Sequence, residues 1–273
     1  MLTFKTEKIS EHVTRIFAFA TEIMYLVEGE DRAALLDTGS GFGSLKACVE
    51  QLTDKPLVVL MTHGHVDHAM GASEFGDVYM NLKDEYIYND HGEEEFRKGG
   101  LALSPVADQI KDEDYVPTAP FSVFKDLRGG DSFDLGGVTI EIYDCPGHTL
   151  GSVVILIKEE RALLLGDACN PFTFMYDYYS TTVTEFKNSL EKLKSEVDGK
   201  FDKIYYSHGD GNGLISGIDD EISVCDDIIS GNTDDIPFAF LNTTGLIAKA
   251  VDPKTGQRVD GKQGNMVYNK DRI

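Results

Sequence analysis

The stretch LVVLMTHGHVDH, residues 57–68, joins a continuous apolar run to a loop that is rich in histidine. The apolar run Leu57–Met61 is typical of a β-strand that is buried on both faces. The loop after it carries four side chains of the types that divalent metals prefer as ligands: His63, His65, Asp67 and His68. Without a metal, imidazoles packed this closely would repel one another when protonated. The stretch therefore predicts a buried strand that ends at a metal site.

Three further candidate ligands stand where later strands are predicted to end. His148 lies in DCPGHT, Asp167 in LLGDA and His208 in SHG, each just after an apolar run and beside a glycine. Taken singly, a histidine or aspartate in a loop is more often structural than functional. Strand ends that meet at one edge of a sheet are a usual place for a site, so together with the histidine-rich loop they favour one metal centre.

The order HxHxDH, PGHTxGS, GDA and a histidine at a strand end, with LLDTG earlier in the chain, resembles the metallo-β-lactamase superfamily. The resemblance covers residues 25 to about 210. It implies an α/β fold, an αββα sandwich of two mixed β-sheets flanked by helices, with a dinuclear metal site at one edge. The implied residues are His63, His65 and His148 for one metal, Asp67, His68 and His208 for the second, Asp167 as the bridge, and Asp37 as a support behind the loop.

The resemblance also implies the chemistry. Two divalent ions, expected to be zinc with manganese or iron as alternatives, would activate a bridging hydroxide to attack a small-molecule ester, thioester or lactone. Asp67 would orient this nucleophile. Asp167 at the bridging position and an intact His68 argue against a true β-lactamase, and the sequence is most similar in this respect to the glyoxalase-II-like and lactonase-like branch of the superfamily. Two alternatives stay open: a phosphodiesterase acting on a small molecule, and an oxidoreductase similar to the persulfide dioxygenases with one iron.

The rest of the chain predicts how this site is enclosed. Residues 81–120 are acidic and contain the breakers Gly99, Gly100, Pro105 and Pro117, so we expect short helices in an insertion over the active-site edge. An ordinary pair of surface helices is the alternative. Residues 238–241 through 266–268 indicate a hairpin-like end. Since no linker divides the chain, residues 1–273 are expected to form a single domain.

Aromatic residues after Asp167 predict the substrate pocket. The segment PFTFMYDYY, residues 171–179, would line an apolar pocket, or its rings would simply fill the core. The pocket candidates are Phe172, Phe174 and the hydroxyl donors Tyr176, Tyr178 and Tyr179. His91 lies in the acidic sequence DHGE, which is typical of a solvated surface. It would contact substrate only if the insertion covered the mouth of the site.

Composition limits the partners and the compartment. The 273 residues carry a formal net charge of −22 and are 41% hydrophobic, which indicates a folded protein that repels nucleic acids and anionic membranes. A small molecule is the expected partner, and the oligomeric state is not determined by the sequence. The beginning lacks the pattern of a secretory signal and the 4 cysteines contain no CxxC, so a cytoplasmic location is expected.

Overall fold

The computed structural model of the protein describes residues 2–19, 21–101, 104, 106–175, 178–240 and 243–273. Its first sheet has its strands in chain order: β1 Lys5–Lys8, β2 Val13–Phe17, β3 Ile23–Glu28, β4 Ala33–Leu36, β5 Leu57–Leu60, β6 Val78–Met80 and β7 Lys125–Asp126. The first four strands are antiparallel neighbours, and β4 to β7 are parallel. The ends of β4 and β5 therefore lie side by side at one edge of this sheet.

The second sheet is also mixed, in the order β14-β13-β11-β10-β9-β8. Its strands are β8 Ser132–Asp134, β9 Thr139–Asp144, β10 Val153–Ile157, β11 Ala162–Leu164, β13 Lys203–Tyr205 and β14 Asn212–Gly213. The neighbours β11 and β13 are parallel, whereas the other pairs are antiparallel. The carboxyl ends of β11 and β13 consequently point to the same edge.

Apolar side chains hold the two sheets together and hold helices against their outer faces. The α-helices are α1 Leu45–Leu52, α2 Val66–Ala69, α3 Glu85–His91, α4 Glu94–Leu101, α5 Val183–Val197 and α6 Gly217–Ile229. On β5, Val58 and Leu60 face the layer between the sheets, and Val59 packs toward α1 on the other side. Helices α5 and α6 cover the second sheet in the same way. The predicted αββα sandwich, and the prediction that β5 is buried on both faces, are confirmed.

A third sheet, in the order β12-β17-β16-β15, was not predicted. Its strands are β12 Thr173–Met175, β15 Ile236–Phe240, β16 Thr243–Ile247 and β17 Met266–Tyr268. The end of the chain does contain the expected hairpin, β15–β16, although residue 241 lies outside the described residues. The additional feature is the parallel pairing of β17 with β12, which joins residues far apart in the sequence and leaves no local pattern.

The insertion leaves the first sheet after β6 and returns to it as β7. It contains α3, α4 and several 3₁₀ turns: Leu82–Asp84, Ala107–Gln109 and Asp112–Asp114. One expectation was wrong, because Gly99 and Gly100 lie inside α4 rather than breaking it. A glycine costs a helix only about 1 kcal/mol, which packing can offset, and α4 ends one residue later. Pro105 lies outside the described residues. Within the described ranges, no helix is long and apolar enough to cross a membrane.

Glu221 provides a test of this packing. It lies on α6 and is fully buried. Burial raises the pKa of this carboxyl well above its usual range, against the lowering effects of the Thr173 hydroxyl and of Arg258. The unfolded chain releases the proton at about pH 4.3, whereas the folded chain retains it, so the free energy of unfolding falls as pH rises above that value.

We therefore expect Glu221→Gln to reduce the fall in the free energy of unfolding as pH rises. As pH rises from about 4.5 to neutral, the free energy of unfolding should fall less in the variant than in the parent. Urea unfolding at several pH values measures the difference. Glu95→Gln, at an exposed position on α4, is the matched control and should follow the parent. Parallel curves for the parent and Glu221→Gln would contradict the prediction.

Candidate metal centre

Three imidazoles converge at the sheet edge just beyond β5 and β9. They are His63, His65 and His148, called here the three-histidine group, and all are buried. His65 Nδ1 lies 3.0 Å from His63 Nε2 and 2.8 Å from His148 Nε2. Ligand nitrogens bound tetrahedrally at about 2.1 Å from one metal ion lie about 3.4 Å apart. These two separations, with every ligand atom of the group within 4.8 Å of the others, are therefore close to what a single metal ion requires.

Hydrogen bonds on the far sides of two of these rings turn nitrogen lone pairs toward the group. The Thr62 hydroxyl donates to the Asp37 carboxylate at 2.8 Å, so its oxygen can accept the His63 Nδ1 hydrogen at 3.0 Å. His148 Nδ1 donates to the Phe174 carbonyl at 2.8 Å. In both rings the proton lies on Nδ1, which leaves Nε2 as the acceptor that faces the group.

The charge state of the three-histidine group also suits a metal. Burial and the neighbouring imidazoles lower the pKa of His63 and of His65 well below the usual range. Burial likewise lowers the pKa of His148, although the Asp167 carboxylate opposes this. The three rings are therefore neutral at neutral pH, and neutral imidazole is the form that binds metals.

A second cluster, called here the acidic group, lies beside the first and consists of Asp67, His68, Asp167 and His208. Its imidazole nitrogens and carboxylate oxygens lie 3.2–3.6 Å apart, which is longer than a short hydrogen bond between charged groups. His208 Nε2 lies 3.2 Å from Asp167 Oδ2 and 3.4 Å from Asp67 Oδ2. His68 Nε2 lies 3.6 Å from each of the same two oxygens. Two imidazole nitrogens and two carboxylate oxygens thus surround one point.

Opposite charges control protonation in the acidic group. Burial lowers the pKa of His208, but the Asp167 and Asp67 carboxylates outweigh it and raise that pKa to about 10. At His68 the carboxylates of Asp67, Asp37 and Asp167 likewise outweigh burial and raise the pKa of the ring well above its usual range. The pKa of each aspartate is held below its usual range by the two histidines, again against burial. The group thus combines two carboxylates with two cationic imidazoles, and a bound cation would replace those ring protons.

Asp37 supports both groups from behind. It follows β4, and its Oδ2 accepts the His68 Nδ1 hydrogen at 2.9 Å, which leaves His68 Nε2 facing the acidic group. Its Oδ1 accepts the Thr62 amide hydrogen at 2.7 Å. Asp37 has a φ of 62°, a left-handed conformation that is uncommon for residues other than glycine. Asp37 therefore lies behind the histidine-rich loop and outside the two groups of candidate ligand atoms.

Buried polar atoms without partners test whether these residues fit a metal. Within the described part of the chain, His68 Nε2 and Asp167 Oδ1 are buried and have no hydrogen-bond partner. Buried polar atoms are nearly always paired, so an unpaired nitrogen and an unpaired carboxylate oxygen in the same site require an explanation. A bound cation would satisfy both. The donor set, five histidine nitrogens and two carboxylates, fits divalent metals of the zinc type.

The expectation of a solvated His91 is wrong. Its side chain is only 6% exposed, and its ring stacks on that of His65 with a centroid distance of 4.8 Å. Its Nδ1 accepts the Val66 amide hydrogen at 3.3 Å. Burial lowers the pKa of His91 to about 4, against the carboxylates of Asp67 and Asp90. The acidic surroundings are misleading, because α3 turns this one side chain inward onto His65 of the three-histidine group.

The predicted aromatic segment lies next to the centre in part. The Tyr179 ring is 5.2 Å from that of His65. The Tyr178 hydroxyl donates to Asp90 of the insertion at 3.1 Å. Tyr176 lies outside the described residues. Phe172 and Phe174 lie against Phe238 and Phe240 of β15, with centroid distances of 5.7–6.3 Å. This four-phenylalanine cluster could not be predicted, because the pairing of the third sheet brings its two halves together.

Sequence analysis also missed Asp84. This buried carboxylate, whose pKa burial raises to about 6, accepts hydrogen bonds from the loops that carry His63, His65 and His148. An acidic residue in an acidic insertion gives no local signal of such a role. Its partners lie 20, 65 and 67 residues away in the sequence.

Comparison with known proteins yields a family match. The model of the metallo-beta-lactamase superfamily matches residues 24–208. A solved metallo-beta-lactamase from Pontibacter korlensis shares the fold, with a TM-score of 0.55, 17% identity, and coverage of 82% of this chain and 99% of that one. An uncharacterized protein of Mycobacterium tuberculosis is 31% identical over 133 residues, 46% of this chain. The matched region spans 55% of that relative's length.

Two other relatives have named activities. The hydroxyacylglutathione hydrolase GloC of Haemophilus influenzae is 24% identical over 193 residues, which cover 67% of this chain and 84% of that protein. The human acyl-coenzyme A thioesterase MBLAC2 is 24% identical over 213 residues, which cover 68% of this chain and 72% of that protein.

The Asp37 arrangement predicts a defined effect on metal affinity. Asparagine also tolerates the left-handed conformation, so Asp37→Asn should preserve the backbone while it removes one of the two acceptor oxygens. His68 and Thr62 then compete for one acceptor, and we expect zinc affinity to fall by about 10- to 100-fold. Competition with a coloured chelator measures it. Asp77→Asn, at an exposed ion pair with Lys125, is the control. Unchanged affinity in Asp37→Asn would show that Asp37 does not organise the site.

Proposed function

The chain belongs to the metallo-beta-lactamase superfamily, and from this membership we propose that it is a hydrolase that uses two divalent metal ions, with zinc as the expected metal. One observation carries the proposal. Asp167 directs Oδ2 toward the acidic group, whereas its Oδ1 is buried without a hydrogen-bond partner among the described residues. A carboxylate so placed is suited to bridge two cations.

The two groups divide the ligands. The three-histidine group would hold one ion and the acidic group the other, with Asp167 shared between them. The closeness of the groups supports this division, because the ring centroids of His63 and His68 are 4.0 Å apart. The Asp167 carboxylate also faces both His63 and His148, since it opposes the lowering of the pKa of each ring by burial. When bound, two such ions lower the pKa of a water molecule and polarise the carbonyl under attack.

Asp67 is the proposed catalytic residue. Its side chain is 31% exposed, compared with 1% for His68 and 12% for Asp167, so it lies at the open side of the acidic group. A carboxylate oxygen in this position can accept a hydrogen bond from the attacking water and orient it. The same oxygen can take the proton that the water loses and pass it to the leaving group.

We propose an acyl substrate, namely a small-molecule ester, thioester or lactone. Two relatives with named hydrolase activities, GloC and MBLAC2, support this class. The four-phenylalanine cluster offers a surface for an apolar acyl chain, since Phe240 is 43% exposed and the Phe174 carbonyl contacts His148. Tyr179 and His91 are proposed as the walls nearest to His65.

We also propose that residues 1–273 function as one domain, with the insertion forming part of the active-site edge. Two contacts support this arrangement. Tyr178 of the aromatic segment bonds to Asp90 of α3, and His91 of α3 stacks on His65. The insertion would then help to define the substrate entrance.

A substrate screen with metal analysis tests the proposal. Protein purified with zinc should contain close to two equivalents of metal per chain, lose activity in a chelator and regain it with Zn²⁺. Aryl esters, thioesters and lactones of increasing acyl length should be hydrolysed, and longer acyl chains should lower KM if the phenylalanine cluster binds them. Activity confined to bis-phosphodiesters, or one iron with oxygen uptake, would overturn the acyl hydrolase assignment.

Asp167 allows a sharper test of the paired ions. Asp167→Asn keeps the size of the side chain but removes its charge, so a shared ligand becomes a poor one for both ions. We expect metal content to fall toward one equivalent per chain and kcat to fall with it. Equilibrium dialysis followed by elemental analysis measures the stoichiometry. Asp234→Asn, at the far end of the third sheet, is a control that should retain both equivalents. Two tightly bound equivalents in Asp167→Asn would argue against a bridge.

A further inference from the structure

Both backbone amides that flank His65 are held by one element, the α3 segment of the insertion. The amide of Gly64 donates to Asp84 Oδ2 at 2.9 Å. The amide of Val66 donates to His91 Nδ1 at 3.3 Å. Asp84 immediately precedes α3 and His91 is its last residue, so the two acceptors stand at opposite ends of the same short helix.

Asp84 connects the His65 loop to the loop that carries His148. Its Oδ2 also accepts the Thr149 hydroxyl hydrogen at 2.8 Å, and its Oδ1 accepts the Gly151 amide hydrogen at 2.6 Å. The approach depends on glycine, since a Cβ on Gly151 would lie 2.7 Å from the Asp84 carboxyl. One buried carboxylate therefore sets the distance between the two loops.

His91 adds a second restraint at the other end of α3. Its ring stacks on that of His65 with an interplanar angle of 20° and on that of Phe96 with a centroid distance of 3.9 Å. The face of the His65 imidazole is therefore covered by a ring whose own position is fixed. His65 Nδ1 is the atom within 3.0 Å of both other nitrogens of the three-histidine group, so movement of His65 would open the group.

We propose that α3 is a clamp that holds His65 in metal-binding geometry, with Asp84 and His91 as positioning residues. Neither residue belongs to the ligand groups assigned above. The inference rests on the proposed metal pair, and it predicts that loosening α3 weakens metal binding at the three-histidine group. Binding at the acidic group should be affected less, because Asp37 independently orients His68.

Asp84→Asn tests the connection between the loops. The amide keeps the size of the side chain, but its NH₂ must face a donor, Gly64 or Gly151, so at least one restraint is lost. In a titration with Co²⁺ we expect one of two equivalents to bind about 10- to 100-fold more weakly and the visible spectrum of the cobalt centre to change. Glu74→Gln is the matched control, since Glu74 accepts the amides of Leu45 and Lys46 in α1.

A pair of His91 variants separates the hydrogen bond from ring stacking. His91→Phe keeps a ring against His65 but removes the acceptor for Val66, whereas His91→Asn keeps an acceptor oxygen and removes the ring. If the amide restraint dominates, His91→Phe should show the weakened equivalent and His91→Asn should remain close to the parent. If both variants match the parent, His91 is not part of the clamp.

The outcomes distinguish this inference from the proposed function. A parent protein that binds no Co²⁺ or Zn²⁺ overturns the metal pair itself. A parent that binds two equivalents, together with a folded Asp84→Asn that binds both with unchanged affinity and spectrum, overturns the clamp alone. If circular dichroism shows that Asp84→Asn does not fold, Thr149→Val takes its place, since it removes one donor to Asp84 together with the contact of the same hydroxyl to Ser152. Parental cobalt binding by a folded Thr149→Val and by His91→Phe would likewise refute the clamp.

Discussion

The organisation of the centre depends on one buried carboxylate, that of Asp37. It accepts a hydrogen from His68 and, through the Thr62 hydroxyl, determines the proton position on His63. One side chain thus directs a ring nitrogen into each of the two ligand groups. The left-handed backbone at Asp37, which costs on the order of 1 kcal/mol, is held by hydrogen bonds at the junction of β4 and β5.

The sandwich brings this carboxylate and the ligands to the same edge. Asp37 follows β4 and Thr62 follows β5, which are parallel neighbours in the first sheet. Asp167 follows β11 and His208 follows β13, which are parallel neighbours in the second. The carboxyl ends of parallel strands share an edge, so the packing of the two sheets places four separate segments around one point. The local sequence supplies the candidate ligand residues, and the packing of the two sheets brings them together at one edge.

Two elements outside the sandwich complete the surroundings. The third sheet provides the Phe174 carbonyl that orients His148, and the insertion provides Asp84 and His91 behind His65. Two histidines of the three-histidine group, His65 and His148, are therefore restrained from outside the sandwich, whereas His63 is held by Thr62 at the end of β5. Such restraints are expected at metal sites, where partners of the ligand rings control tautomer and orientation. They also connect the insertion and the third sheet to the three-histidine group, so that a change in either element can move these imidazoles.

The sequence by itself determined the sandwich, the buried strand β5 and the types of candidate ligand at the site, because these depend on apolar periodicity and on histidine and aspartate residues crowded into short motifs. It also indicated that the segments around His148, Asp167 and His208 end strands. The third sheet, the inward turn of His91 and the contacts of Asp84 were decided only by the tertiary structure. Their partners are separated from them by tens of residues, and Asp84 lies among other acidic residues that remain exposed. Whether a charged or aromatic side chain faces water or a neighbouring loop depends on how distant segments pack. Local composition does not predict this packing.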